Sequence, residues 1–130
     1  MTDRRSLCMV AALCGASGVL AAAFGAHGLE KIADESQIDW WTTASHMQLM
    51  TAPALLALSF APGSPRRAFF TLLAGTCIFC GTLYAMSLGA PRFLGAVTPV
   101  GGLLMVAGWA LVARAARGEF ASRSAPSQQG

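Results

Sequence analysis

The chain has 130 residues, of which 55% are hydrophobic and only 12% charged, with a net charge of +3. That length allows one domain, and a charged share about half the usual one points to lipid rather than water as the solvent. Nucleic-acid binding is disfavoured, because the basic residues stand at the edges of apolar runs instead of clustering on one face with aromatic platforms.

Met1 to Arg5 is a short basic leader, and residues 6–26 carry no charge. A run of about 20 apolar residues suits a ~30 Å hydrocarbon core. Arg4 and Arg5 ahead of an apolar run imitate a secretory signal. The run exceeds the ~7–15 residues of a signal core, so a retained first span is expected. Gly15, Gly18, Ala22 and Gly25 fall on one stripe at i, i+3, i+7 and i+10. Small residues so placed let a second helix approach closely where lipid removes the hydrophobic drive to pack.

The segment from His27 to Ser45 holds Glu30, Lys31, Asp34, Glu35 and Asp39, four acids against one base. It is too charged to cross a bilayer. It reads as a loop with a short interfacial helix beginning at Asp34-Glu35-Ser36, and Trp40 and Trp41 are placed at headgroup level as interface anchors. A second, shorter span covers about 44–61 with Pro53 inside it; neighbouring helices can satisfy the carbonyl that a membrane proline frees. Pro62-Gly63-Ser64-Pro65-Arg66-Arg67 makes a basic turn. The third span, about 68–88, is again uncharged and carries Gly75 and then Gly81, Ala85 and Gly89 at steps of four. The fourth covers about 96–114, with Pro99 in its first turn, where a missing N–H costs nothing. Trp109 is a third interface anchor, near the far side, and Arg114 and Arg117 close the span. Residues 118–130 are polar and small and are expected to be a disordered tail outside a single membrane domain of residues 1–117.

The fold class expected is therefore all-α: an integral membrane four-helix bundle with a short interfacial helix in the first loop. With four spans, Arg4 and Arg5, Arg66 and Arg67, and Arg114 and Arg117 share one side, and the acidic first loop lies on the other. Basic loops face the cytoplasm, so both termini are expected there, in a multi-pass protein of a bacterial inner membrane.

Three ordered motifs carry a resemblance. Phe24-Gly25-Ala26-His27-Gly28-Leu29 resembles an FGAHG-type segment, Gly81-Thr82-Leu83-Tyr84 an SGSLY-type segment, and Thr98-Pro99-Val100-Gly101-Gly102 with Gly108-Trp109 a TPxGG…GW ending. Together they resemble the small membrane family catalogued as domain of unknown function 423, related to mitochondrial transmembrane protein 256. The resemblance runs from the first span through Trp109. It implies a four-helix integral membrane protein and no particular reaction. The family's Tyr-Gln-x-x-His pattern at the second span is only partly present: Gln48 is kept, while Met47 and Thr51 replace the Tyr and His.

No nucleophile elbow, phosphate loop, zinc motif or carboxylate pair falls within a span, and no ionisable acid or base stands mid-span, where one would hint at ion transport. Neither an enzyme nor a bound cofactor or metal is expected. Cys8, Cys14, Cys77 and Cys80 lie in apolar runs and read as small packing residues despite the formal CxxC at 77–80. Met47, Met50, Met86 and Met105 are spread over three spans and read as flexible packing, not a copper site. His27, Glu30, His46 and Gln48 form a candidate polar cluster where spans one and two meet; the alternative is that His27 caps a helix end and His46 opens the second span. Tyr84 needs a hydroxyl partner if buried, with Gln48 and Thr98 the groups in reach.

The function expected is a structural, accessory or assembly subunit of a membrane complex. Its partners would be the bilayer and other membrane subunits, or a second copy, met through the small-residue faces. The alternative is a small carrier or lipid- or quinone-binding protein using the Tyr84, Gln48 and Thr98 region.

Overall fold

The computed structural model describes residues 3–63 and 65–124, and side chains through Gly118. Among these residues the regular structure is entirely helical. Four long helices, α1 (Arg4–His27), α2 (Glu35–Phe60), α3 (Arg66–Ser87) and α4 (Thr98–Ser124), are joined by connections holding 3-10 turns at Leu29–Lys31 and Arg92–Ala96. At 1.5 Å per residue the helices are about 33 to 40 Å long. Three of them, α1, α3 and α4, are long and apolar enough to cross a membrane.

The helix ends follow local chemistry. Asp34 starts α2 with a capping box: its carboxylate accepts from the Gln37 N–H at 2.9 Å, and the Gln37 side-chain oxygen accepts from the Asp34 N–H at 3.0 Å. Gly89, at φ +97°, ends α3. Its N–H reaches the Met86 carbonyl and the Ala90 N–H reaches the Ala85 carbonyl, the pair of bonds that closes a helix over a left-handed residue.

Each helix packs on its neighbour in sequence: α1 on α2, α2 on α3, and α3 on α4. Neighbours run antiparallel. Cys8 of α1 meets Ser59 of α2 at 3.1 Å near one end, and Ser87 of α3 donates to the Gln37 carbonyl of α2 at 2.6 Å near the other. One core cluster joins Leu7 and Ala11 to Leu55 and Leu58, then to Phe69 and Leu72, and finally to Met105. A second gathers Ala44, Cys80, Leu83 and Met86 toward the opposite end.

Small residues are spent inside this packing. A Cβ on Gly18 would lie 3.0 Å from Leu49 of α2, and one on Gly25 only 2.7 Å from Trp41. Between α3 and α4 the approach is of backbone on backbone. A Cβ on Gly75 would lie 2.6 Å from the Met105 nitrogen, one on Gly108 2.9 Å from the Leu72 Cα, and one on Gly101 would run into the Phe79 backbone.

Two expectations about element boundaries differ from the structure. The segment read as a separate interfacial helix is the first turns of α2, which continues unbroken from Glu35 through Trp40 and Trp41 to Phe60. The charges at Glu35 and Asp39 lie on exposed positions, so nothing forces the helix to stop before its apolar part. At the other end α4 stays helical past Gly118 to Ser124, and the remainder of the tail lies outside the described residues.

Candidate functional site

Gln48 stands in the middle of α2, the helix that touches both α1 and α3. Its Nε2 donates to the Cys14 carbonyl at 2.9 Å and to Ser17 Oγ at 2.7 Å, both on α1. Its Oε1 accepts from Tyr84 Oη of α3 at 2.9 Å. The Cys14 carbonyl can only accept, so the amide nitrogen must face α1 and the oxygen α3. That orientation makes Tyr84 the donor. Ser17 in turn gives its own hydrogen to the Leu13 carbonyl at 2.7 Å. One side chain therefore ties three helices together.

Trp41 extends the same layer. Its indole N–H donates to the Ala21 carbonyl at 2.6 Å, and its ring meets Phe24 and Tyr84 edge-on at 5.3 and 4.6 Å between centroids. The bare backbone at Gly25 makes room for this ring. Trp41 was expected at the headgroups; its N–H is spent within the protein instead. Trp40 lies under the Arg92 guanidinium, 5.6 Å from the ring centre, joining the start of α2 to the α3–α4 connection. Trp109 is about half exposed on α4, roughly 8 Å along the axis from Arg114.

Between α1 and α3, with α2 as its floor, runs an open groove of about 480 Å³. Val10, Leu13 and Leu73 line one end and Ser17, Gln48 and Tyr84 the other; Thr76, Cys77, Cys80 and Gly81 form much of the α3 wall. From Leu73 to Tyr84 the groove follows α3 for about 16 Å. Polarity thus changes along its length. Nothing lies within 4 Å of where a Gly81 side chain would begin. A larger cavity, about 620 Å³, lies near the α2–α3 turn, but among the described residues its lining, with Leu58, Pro62, Val112 and Ala115, offers no polar side chain.

The other candidates lie elsewhere. Thr98 pairs with Thr82 at 2.8 Å and fastens α4 to α3, away from Tyr84. His27, Glu30 and His46 are exposed, and no three His, Cys, Asp or Glu side chains among the described residues are placed to hold a metal. All four cysteines are free thiols; Cys80 is buried and donates to the Ala44 carbonyl at 3.3 Å, whereas Cys77 is exposed. Arg4, Arg5, Arg66, Arg67, Arg114 and Arg117 are all exposed, and the antiparallel order puts them at one end. Ser17 was missed. Its signal was available: apart from Ser6 at the start, it is the one hydroxyl in the first apolar run.

These features define a class: a small all-helical membrane protein whose few polar side chains are turned onto one another and onto the groove between α1 and α3. Residues 21–102 match the family described as protein of unknown function (DUF423), and the chain belongs to that family. A UPF0382 membrane protein of Schizosaccharomyces pombe is 38% identical over 109 residues, covering 78% of this chain and 92% of that one. The UPF0382 inner membrane protein YgdD of Escherichia coli K12 is 37% identical over 117 residues, covering 86% and 88%. A UPF0382 membrane protein of Staphylococcus haemolyticus is 35% identical over 108 residues, covering 80% and 88%. No solved structure matches the chain significantly.

Proposed function

We propose that the protein is a four-span inner-membrane protein, with both termini in the cytoplasm, that holds a single-chain amphiphile in the groove between α1 and α3. The name of the E. coli relative supports the inner membrane. The fourth span is α2. Its hydropathy is lowered by Ser45, Gln48, Thr51 and Ser59, yet each of these groups is bonded within the protein. A helix flanked by two others can carry such residues where a lipid-facing helix would not. Glu35 and Asp39, in its first turns, would stand among the headgroups.

The observation that carries the lipid reading is the polarity gradient of the groove. Its volume falls within the ~300–1,000 Å³ of small-ligand sites. A partner helix some 10 Å across would fill well over twice that space over the same length. An isoprenoid or acyl chain lying along α1 and α3, head toward Tyr84 and tail toward Val10 and Leu73, suits both its size and its lining. The accessory-subunit reading ranks second, since the small-residue faces that motivated it are largely used between the protein's own helices.

The test is native mass spectrometry of the full chain drawn from its own membrane in mild detergent, compared with Gly81→Leu. Gly81 lines the groove and a Cβ there meets no other atom within 4 Å, so the variant should fold. Wild type is expected to retain one amphiphile and the variant to lose it. Equal retention by both would remove the groove as the site; a stably bound protein subunit and no lipid would favour the accessory role.

A further inference from the structure

We infer that the groove selects an amphiphile whose polar end is a hydroxyl donor, such as a long-chain alcohol or the reduced, hydroquinone form of a chain-bearing quinone, over one that ends in a carbonyl or an ether. This inference rests on the lipid reading above and adds the chemistry of the head.

It follows from counting hydrogens at the polar end. Gln48 Nε2 has two N–H groups, and they go to the Cys14 carbonyl and Ser17 Oγ. The Ser17 hydroxyl hydrogen goes to a backbone carbonyl of its own helix. Tyr84 gives its hydrogen to Gln48 Oε1. Thr76, also in the lining, gives its hydrogen to the Leu72 carbonyl at 2.8 Å. Every strong donor at that end is therefore engaged. The lone pairs are not: Tyr84 Oη donates one bond and accepts none from the protein, and Gln48 Oε1 accepts only one where an amide oxygen can accept two. Cys14 and Cys77 add thiols, which are weak donors.

The orientation cannot be reversed at low cost. Flipping the Gln48 amide would point its oxygen at the Cys14 carbonyl oxygen, setting two acceptors face to face at 2.9 Å. The Tyr84 hydroxyl could turn toward a ligand carbonyl only by abandoning Gln48, exchanging one bond for another with no gain. A ligand hydroxyl adds a bond instead. The end of the groove is thus an acceptor site, and the apolar wall from Leu13 to Leu73 receives the chain.

The experiment uses the full chain carrying Trp40→Phe and Trp109→Phe, so that Trp41, whose ring lies 4.6 Å from that of Tyr84, is the sole indole. Its fluorescence is titrated with a long-chain alcohol brominated near the hydroxyl, with the methyl ether of that alcohol, and with a chain-matched ketone. The alcohol is expected to quench saturably, with an affinity roughly three- to tenfold above the other two, the worth of one net hydrogen bond. A hydroquinone competitor should displace it more readily than the matching quinone. Gly81→Leu should abolish quenching by all probes. Equal affinity for alcohol, ether and ketone, or a preference for the ketone, would overturn the donor inference while leaving the groove a lipid site. No saturable quenching by any probe would overturn both. Gln48→Leu with Tyr84→Phe should erase the preference yet keep chain binding. Should that pair fail to fold, the alcohol-to-ether ratio in the parent still decides.

Discussion

Tyr84 Oη lies 2.9 Å from Gln48 Oε1, and the same amide reaches α1 through its nitrogen. The bond therefore fixes the register of α3 against α1, two helices that both pack on α2. Removing the phenol by Tyr84→Phe leaves Gln48 Oε1 without its donor and should cost about 1 kcal/mol. Gln48→Leu strands the phenol and ends both bonds to α1, so it should cost more, about 1–3 kcal/mol. The double variant should lose less than the sum, by roughly 0.6–1.5 kcal/mol, because the two act through one bond. Unfolding in detergent followed by circular dichroism measures all three. Strict additivity would mean that the bond contributes nothing.

A second prediction separates glycines that look alike in sequence. Gly75, Gly101 and Gly108 hold α3 and α4 at backbone contact, whereas Gly81 faces open space. Alanine at 101 or 108 must push the helices apart, at roughly 1–3 kcal/mol of overpacking. Alanine at 81 meets nothing and should stabilise by about 0.5–1 kcal/mol through backbone entropy and propensity. Midpoints of thermal or SDS-induced unfolding should move in opposite directions for Gly101→Ala and Gly81→Ala.

Much of this architecture was legible in the residues. Uncharged runs bounded by arginine locate α1, α3 and most of α4, and Asp34-Glu35-Ser36 reads as a helix start, though of a short separate helix rather than of α2. Two boundaries misled. Glu35 and Asp39 suggest a loop because charge cannot enter lipid, but a helix rooted outside the bilayer crosses that boundary without a break. The polar tail suggests disorder, yet residues 113–124 hold no proline and only one glycine, and the α4 backbone runs on through them. That Tyr84 needs a partner follows from a buried phenol, with Gln48 and Thr98 both in reach; the structure gives it Gln48 and pairs Thr98 with Thr82. That Ser17 completes the set does not, because the glycine stripe marks the face of α1 that a neighbour approaches but not which polar side chain of that neighbour comes opposite Ser17. The small residues were visible as stripes but not their partners: a glycine reports that something comes close, and only the packed structure says that it is Trp41 at Gly25 and Leu72 at Gly108.

The contact of Gly25 with Trp41 yields a third prediction. A Cβ at 25 would sit 2.7 Å from Trp41 Cδ1 and 3.0 Å from Nε1, so Gly25→Ala must displace the indole and strain its bond to the Ala21 carbonyl. The expected loss is about 1–3 kcal/mol. Trp41→Leu alone removes the ring and its hydrogen bond, and is destabilising as well. Combined, the smaller side chain tolerates the new methyl, so the second substitution should cost clearly less in the presence of the first. The same unfolding assay reads this cycle, and a double variant as unstable as the sum would show that the ring is not what Gly25 accommodates.

The last prediction concerns orientation. Six exposed arginines, Arg4, Arg5, Arg66, Arg67, Arg114 and Arg117, occupy one end of the helices, while Glu30, Lys31, Asp34, Glu35 and Arg92 occupy the other. Each cation near an anionic cytoplasmic leaflet is worth about 1 kcal/mol, so the two insertions of this molecule are far from equal in energy. In a background without native cysteines, Lys31→Cys should react with a membrane-impermeant maleimide added outside the inner membrane, and Arg67→Cys should react only after the membrane is opened. Because α2 lies between these two positions, the pair also counts spans. If α2 lay along the surface instead of crossing, positions 31 and 67 would be labelled from the same side. Labelling of Arg67→Cys from outside, with Lys31→Cys protected, would reverse the orientation and keep the four spans.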